Sequence, residues 1–191
     1  IRGGSGGGRV VVNKQPITLT QGGYVVIKNG KIVEFKNANL EKAIVLNGHS
    51  FQGTGVDYDG NKITTSSRVV IDGVTYENLI SAQPIDILFM ADGTVRVQPK
   101  SVTATVRIDG KKIIFGKDAK GRKSWIALRG KEIVGFNGIE AVDYISFLGR
   151  EIKGKDLSYD YTSDKILRFR EIFIDDKFHF FAPNIAPLSF Q

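Results

Sequence analysis

Histidine and cysteine, which supply most nucleophilic and metal-binding chemistry, are nearly absent from this chain. It has no cysteine, and its two histidines are His49 and His179. Disulfides, thiolate zinc sites and cysteine nucleophiles are therefore excluded. His49 follows an Asn-Gly turn and His179 alternates with phenylalanines, so we interpret them as a loop residue and a strand residue. The sequence predicts no catalytic residue, no metal ligand and no cofactor, and we expect a protein that is not an enzyme.

Acidic residues offer one candidate calcium site. Asp57, Asp59 and Asn61 stand at alternate positions, as at the opening of a calcium-binding loop. However, Lys62 occupies the position where an EF-hand needs glycine, and Arg68 the position of its bidentate glutamate. We therefore favour a hairpin turn with exposed polar residues. A pair of carboxylates of the glycosidase type stays open, because the sequence cannot choose among 20 acidic residues.

Positive charge is concentrated in one segment. The net charge is +7, and residues 107–131 hold nine basic and two acidic residues, which leaves 18 of each elsewhere. Basic side chains in a loop beside an aromatic residue are typical of contacts with phosphates and bases. We expect a protruding hairpin or loop that contacts nucleic acid or an acidic neighbouring subunit. A solvated hairpin and edge protection by lysines are the alternatives. The basic contact patch consists of Lys111, Lys112, Lys117, Lys120, Arg122, Lys123 and Trp125.

The elements that position these residues are predicted from turn dipeptides. Asn-Gly or Asp-Gly occurs seven times, whereas composition alone predicts about 2.5 occurrences. Asn, Asp and Gly tolerate the positive φ that type I′ turns require. Because the intervening lengths vary, we interpret the shared turn pattern as independent hairpins rather than an internal repeat. Four dipeptides are predicted to form two-residue hairpin turns: Asn29-Gly30, Asp72-Gly73, Asp92-Gly93 and Asp109-Gly110.

The turn spacing predicts an all-β fold. Successive turns lie about 8 to 20 residues apart, which is typical of an antiparallel sandwich or barrel built from short hairpins. At most one or two short helices are expected, at residues 39–46 and 138–145. Residues 16–182 form the predicted body, with two small β subdomains divided near residue 100 as an option. No apolar run approaches the roughly 18 residues of a membrane span.

The two ends differ from the body. Residues 1–15 are predicted to be a glycine-rich N-terminal arm and residues 183–191 an extended C-terminal tail. Because the chain starts with Ile1 rather than Met, we expect processing or trimming of a longer precursor. Glycines let a backbone lie close to a neighbouring subunit, and three valines could add a strand to its sheet before Pro16 ends the segment. An arm resting on its own subunit is the alternative. The assembly arm comprises Gly3, Gly4, Gly6, Gly7, Gly8, Val10, Val11 and Val12.

Two segments carry a resemblance to a known family. Residues 125–161, with Leu-Arg-Gly-Lys-Glu-Ile-Val and Ser-Phe-Leu-Gly-Arg-Glu-Ile-Lys-Gly-Lys-Asp-Leu, resemble hairpins of phage tail-tube and related virion structural proteins. Residues 68–79, Arg-Val-Val-Ile-Asp-Gly-Val-Thr-Tyr-Glu-Asn-Leu, resemble them too. The tail-tube family implies a sandwich that closes into rings by strand pairing between subunits. Its pattern does not include the glycine-rich arm, so capsid, decoration and filament roles stay open.

Together these observations favour a structural subunit of a larger assembly. We expect a virion component, namely a capsid, decoration or tail protein, whose partners are copies of itself and other assembly subunits. Nucleic acid is an additional candidate partner. The alternatives are a β-sandwich module that binds carbohydrate or nucleic acid, and a filament subunit on the extracellular surface.

Overall fold

Antiparallel β-strands make up the fold. A computed structural model describes residues 8–180 and 188–189, and no helix occurs among them. In chain order the strands are β1 (Gly8–Val12), β2 (Gln15–Lys28), β3 (Lys31–Leu46), β4 (His49–Tyr58), β5 (Lys62–Thr65), β6 (Arg68–Ile71), β7 (Val74–Asn78), β8 (Ile85–Phe89), β9 (Val95–Pro99), β10 (Ala104–Ile108), β11 (Lys111–Phe115), β12 (Trp125–Arg129), β13 (Glu132–Phe147), β14 (Arg150–Tyr159), β15 (Ile166–Leu167), β16 (Glu171–Ile174), β17 (Lys177–Phe180) and β18 (Leu188–Ser189).

Ten of these strands close into a barrel. Hydrogen-bonded neighbours follow the order β4-β5-β8-β9-β12-β13-β11-β10-β7-β6, and β6 returns to β4. β3, β2 and β1 extend the sheet outward from β4, whereas β14, β16 and β17 extend it from β13. β15 and β18 form a separate two-stranded ladder. The sequence left a sandwich and a barrel open, and strand pairing gives a closed barrel with additional strands.

Both predicted helices are wrong, because the two segments are strands. Residues 39–46 lie in β3 and residues 138–145 lie in β13. The pairing of β3 with β4 shifts register between Ala38 and Leu40 and again between Leu40 and Ile44. Between Leu40 and Ile44, β3 advances four positions while β4 advances two, so the core-facing side chains of β3 skip one position there, and β13 does the same between Ala141 and Ile145. Buried side chains in β3 and β13 therefore recur at uneven intervals, and in a sequence such intervals mimic the spacing of a helix.

Three of the four predicted hairpin turns are confirmed. Asn29-Gly30, Asp72-Gly73 and Asp109-Gly110 each join paired strands, and both residues of each turn have positive φ, as a type I′ turn requires. Asp92-Gly93 instead lies in a five-residue connection between β8 and β9, where only Gly93 has positive φ. Asn137-Gly138, which shares the turn dipeptide, lies inside β13, where Gly138 (φ 60°) occupies a bulge.

The chain also contains a duplicated unit: β1–β4 with β6 and β7 make up the first unit, and β10–β14 with β16 and β17 make up the second. In β3 and β4, Phe35 pairs with Tyr58; in β13 and β14, Phe136 pairs with Tyr159, with each residue 101 positions later. Every register shift between β3 and β4 recurs between β13 and β14 at this same offset. Positive-φ residues recur likewise, in the pairs Asn37 and Gly138, Asn47 and Leu148, Gly48 and Gly149, and Gly55 and Asp156.

The duplication extends to the flanking hairpins. β1 and β2 pair Val10 with Ile17, and β10 and β11 pair Val106 with Ile113, 96 positions later. The offset grows from 96 before this point to 101 after it because the connection between β11 and β12, residues 116–124, contains five additional residues. β6 and β7 fold back onto β4 as β16 and β17 fold back onto β14. Independent hairpins do not account for a register shared along so much of the chain.

The duplication is hidden in the sequence because few residues are identical. Aligned at the offset of 101, residues 24–60 and 125–161 share eight identities in 37 positions. One identity, Gly53 and Gly154, has a steric reason. A Cβ on Gly53 would lie 2.9 Å from the carbonyl oxygen of Arg68 in β6, and a Cβ on Gly154 would overlap the carbonyl oxygen of Glu171 in β16.

Replacing Gly154 with alanine is therefore expected to destabilise the protein. The added methyl group meets backbone atoms that cannot rotate away, so the free energy of unfolding should fall by about 1 to 3 kcal/mol or more. Gly116→Ala is the matched control, because no heavy atom lies within 4 Å of its Cβ position and its φ is not positive. Urea unfolding measures both variants. Equal midpoints for the two variants would contradict a close approach of the paired strands β14 and β16 at Gly154.

Candidate assembly edges and the basic loop

The valine segment of the predicted arm forms β1 and pairs with its own subunit. Val11 lies opposite Pro16, which belongs to β2, so the expectation that Pro16 ends the segment is wrong. The reversal occurs earlier, at Asn13-Lys14, where both residues have positive φ. Gly8 begins β1. Gly3, Gly4, Gly6 and Gly7 lie outside the described residues.

The outer edge of β1 is unpaired within the described residues. β2 is the strand to which β1 pairs, and the sheet ends there. Alternation along β1 directs Val12 into the core, where it is 7% exposed, and Val11 outward, where it is 64% exposed. The edge therefore combines unpaired backbone groups with an exposed apolar side chain.

The opposite end of the sheet presents a similar edge on β17. In the described part of the chain β17 pairs with β16, and its other side has no partner strand. Phe178 and Phe180 are 52% and 66% exposed, and they share one face because they are two residues apart. Their rings contact one another, with centroids 6.4 Å apart. We call the outer sides of β1 and β17 the assembly edges.

The basic contact patch is divided by the structure. Residues 107–131 are not one protruding hairpin, because 12 of these 25 residues belong to three separate strands, β10, β11 and β12. Lys111 and Lys112 lie at the start of β11, whereas Lys117, Lys120, Arg122 and Lys123 lie in the connection after its far end, residues 116–124, which we call the basic loop. A strand of five residues separates the two groups by about 15 Å. The patch is therefore two smaller basic regions.

Asp118 organises the basic loop. Its Oδ1 accepts hydrogen bonds from the backbone N–H groups of Lys120 (2.9 Å) and Arg122 (2.8 Å). Its Oδ2 accepts from Arg122 Nε (2.7 Å) and from Asn137 Nδ2 (3.0 Å). Burial of the carboxyl opposes ionisation, but the hydrogen bonds from Asn137, Arg122 and Lys120 outweigh it, so the pKa of Asp118 lies well below its ordinary value. The loop is closed around one carboxylate.

Other contacts engage part of the patch that was predicted to meet a ligand. Lys123 Nζ donates to the carbonyl oxygen of Lys100 at 2.7 Å. The guanidinium of Arg96 lies 4.2 Å from the centroid of the Trp125 ring. One face of Trp125 is therefore covered by a cation from its own chain and does not offer a base a place to stack.

A polar cleft adjoins the basic loop. It is lined in part by Asp118, Trp125, Asn137, Asp160, Asp164 and Arg168. Asp160 accepts hydrogen bonds from Thr162, and Asp164 forms an ion pair with Arg168. These hydrogen bonds lower the pKa of both carboxyls. A general acid at neutral pH needs a raised pKa, so the three carboxylates of the cleft are suited to holding the loops in place.

The remaining sequence candidates occupy structural positions. His49 is the first residue of β4 rather than a loop residue; its Nδ1 lies 2.6 Å from Asp72 Oδ2 and its ring stacks on Phe89. His179 lies in β17, as predicted. Asp59 Oδ1 accepts from the N–H groups of Asn61 and Lys62, which is the predicted hairpin turn. Within residues 8–180 and 188–189 no group of three or more His, Cys, Asp or Glu side chains is placed to hold a metal ion.

Comparisons with known proteins found no relative. No protein-family model matches the chain, and neither the curated proteins nor the solved structures contain a match. No helix within the described ranges is long and apolar enough to cross a membrane.

Asp118→Ala is expected to open the basic loop while the barrel stays folded. The backbone N–H groups of Lys120 and Arg122 would lose their acceptor, so trypsin should cleave the loop faster and its amides should exchange faster. Because the folded-state pKa is depressed, the stabilisation by Asp118 is present above about pH 4 and is lost as the pH falls further. The acid-induced loss of stability should therefore be shallower in the variant.

Glu132→Ala is the matched control, because Glu132 is an exposed acid at the start of β13. It should leave both cleavage and exchange unchanged. Equal protection of the basic loop in the parent and in Asp118→Ala would show that Asp118 does not hold the loop.

Proposed function

We propose that this protein is a structural subunit of a homo-oligomeric assembly built by strand pairing, with a virion component (capsid, decoration or tail protein) as its setting. The observation that carries the proposal is the pair of assembly edges. Both outer ends of the described sheet are unpaired, and both expose large apolar side chains. The virion setting rests on the resemblance of residues 68–79 and 125–161 to phage structural proteins.

An edge of this kind is unfavourable for a protein that works as a monomer. Unpaired N–H and C=O groups invite pairing with another chain, and proteins usually protect them with charge, proline or a covering loop. In β1 and β17 the charged residues, Arg9 and Lys177, stand only at the starts of the strands. Phe180 and Val11, farther along, leave apolar surface in water. Burial of these side chains against a second chain removes that cost.

The other regions give less support for a ligand-binding or catalytic role. The carboxylates of the polar cleft are held by hydrogen bonds and an ion pair, and Arg96 covers one face of Trp125. The basic loop remains a surface through which acidic neighbours in an assembly would be recognised. Its charge suits such a contact because attraction between exposed charges speeds association and weakens with salt.

Assembly is tested by measuring mass in solution. Light scattering should give multiples of 21.0 kDa, the mass of one chain, and negative-stain images should show rings, shells or fibres. The double variant Val11→Lys with Phe180→Lys should be a monomer with unchanged β circular dichroism, since each lysine places a charge on an edge that must lose water.

Val102→Lys is the matched control, because Val102 is 50% exposed outside the assembly edges. It should assemble like the parent. A parent protein that stays at 21.0 kDa at every concentration would refute the proposed function and favour a monomeric binding module.

A further inference from the structure

We infer that copies of this chain join head to tail, with β17 of one copy pairing antiparallel to β1 of the next and Phe180 lying opposite Val11. This inference rests on the proposed function and specifies its interface. It follows from the duplication, because the chain already contains one junction between its two units. The second unit ends in β17, which has the same place in the fold as β7, the strand of the first unit that makes this junction.

The internal junction joins β7 of the first unit to β10 of the second. Tyr76 pairs with Ile108 and Glu77 pairs with Arg107. Hydrogen bonds continue past the strand end, where the Asp109 N–H donates to the Thr75 carbonyl oxygen at 2.8 Å. β7 therefore presents its outer edge to the first strand of the following unit.

Both strands of this junction have counterparts at the ends of the sheet. β6 and β7 pair Ile71 with Val74, and β16 and β17 pair Ile174 with Lys177, 103 positions later. By this offset Phe180 corresponds to Glu77. By the offset of 96 between β1 and β10, Val11 corresponds to Arg107. Transferring the internal register places Phe180 opposite Val11, and His179 opposite Val12, of the next copy.

Exposure of side chains supports this register independently. Phe180 and Val11, at 66% and 64%, are the two most exposed large hydrophobic residues in the described part of the chain. The transferred register, which uses no information on exposure, sets them directly opposite one another. Cross-strand pairs of aromatic and β-branched residues stabilise antiparallel sheets. A charged pair inside the chain is therefore replaced by an apolar pair between copies.

The surroundings of the junction are complementary as well. Inside the chain, the Asp72-Gly73 turn lies beside Lys131 of the second unit, since a Cβ on Gly73 would be 3.4 Å from Lys131 Cε. The corresponding turn of the second unit is Asp175-Asp176, and the position that corresponds to Lys131 is Gly30. Next to Gly30, a groove on the first unit is lined by Val12, Asn13, Gln15, Lys31, Val45 and Asn47.

The acidic turn and this groove have opposite charge. Lys31 lines the groove, and Lys14 lies in the adjacent turn between β1 and β2. Seating Asp175-Asp176 of one copy there brings two carboxylates to these lysines. It also covers Val45, which is 63% exposed. Because the two contacting surfaces differ, the contact repeats from copy to copy and builds a ring or a filament.

Cysteine cross-linking tests the register, and the chain is suited to it because it has no native cysteine. Val11→Cys and Phe180→Cys are prepared as separate proteins, mixed and oxidised. In the internal junction Glu77 and Arg107 fall in the hydrogen-bonded class of pair, whose Cα atoms lie about 5.5 Å apart, within the range of a disulfide. The mixture should give a cross-linked dimer, while each single variant alone should not. One chain that carries both cysteines should give a ladder of multimers.

The controls separate this interface from assembly in general. Val11→Cys mixed with Phe178→Cys, two positions out of register, should cross-link much less. Cross-linking of either single variant with itself, to the level of the mixture, would show two-fold pairing of like edges and overturn the inference. Oligomers by light scattering without mixture-specific cross-links would overturn this interface but leave the proposed function standing. A monomer at every concentration would overturn both.

Discussion

The fold depends on a bend in each of its two longest strands, β3 and β13, and a hydrogen bond from a backbone N–H to a side chain supports each bend. Asn37 and Gly138 take positive φ within their strands, which turns the backbone N–H away from the ladder. Asp57 Oδ1 accepts the N–H of Asn37 and Ser158 Oγ accepts that of Gly138, each at 3.0 Å. A buried N–H without a partner would cost about 1 to 3 kcal/mol. Next to the bend, β4 pairs with β3 along one edge and with β5 and β6 along the other. Its pairing with β6 closes the barrel.

Part of this architecture could be predicted from sequence because it is local. Turns such as Asn29-Gly30 depend on φ preferences that two residues carry themselves. The bends are equally local in space, yet their sequences differ, since Asn37 has Gly138 as its counterpart and Asp57 has Ser158. Leu148 (φ 48°) even fills a left-handed turn position without a typical turn residue. Geometry is thus shared where residue identity is not, so neither the repeat nor the bulges could be recognised from one sequence.

The candidate site could likewise be predicted only in part from the sequence. The basic loop was predicted from composition, but Asp118 was not singled out, because its partner Asn137 lies 19 positions away in the chain. The assembly edges could not be predicted either. Whether Val11 or Phe180 borders an open edge depends on which strands pair over long distances, and alternating apolar residues look alike in a central strand and in an edge strand. Exposure identifies them only after the topology is known.

The two junctions of the proposed assembly would face different energetic demands. Inside the chain, β7 and β10 are joined covalently and also through β8, β9 and β12, so their association costs little freedom of motion. A partly solvated cross-strand pair of opposite charges such as Glu77 and Arg107 suffices there, although such pairs contribute only about 0.2 to 1 kcal/mol. Two separate copies must offset an estimated 4 kcal/mol or more of lost translational and rotational freedom. Apolar side chains meet that demand better than charges, because their burial is favourable without ideal geometry. The change from a charged to an apolar pair at corresponding positions is therefore the difference expected between a junction within one chain and a junction between chains.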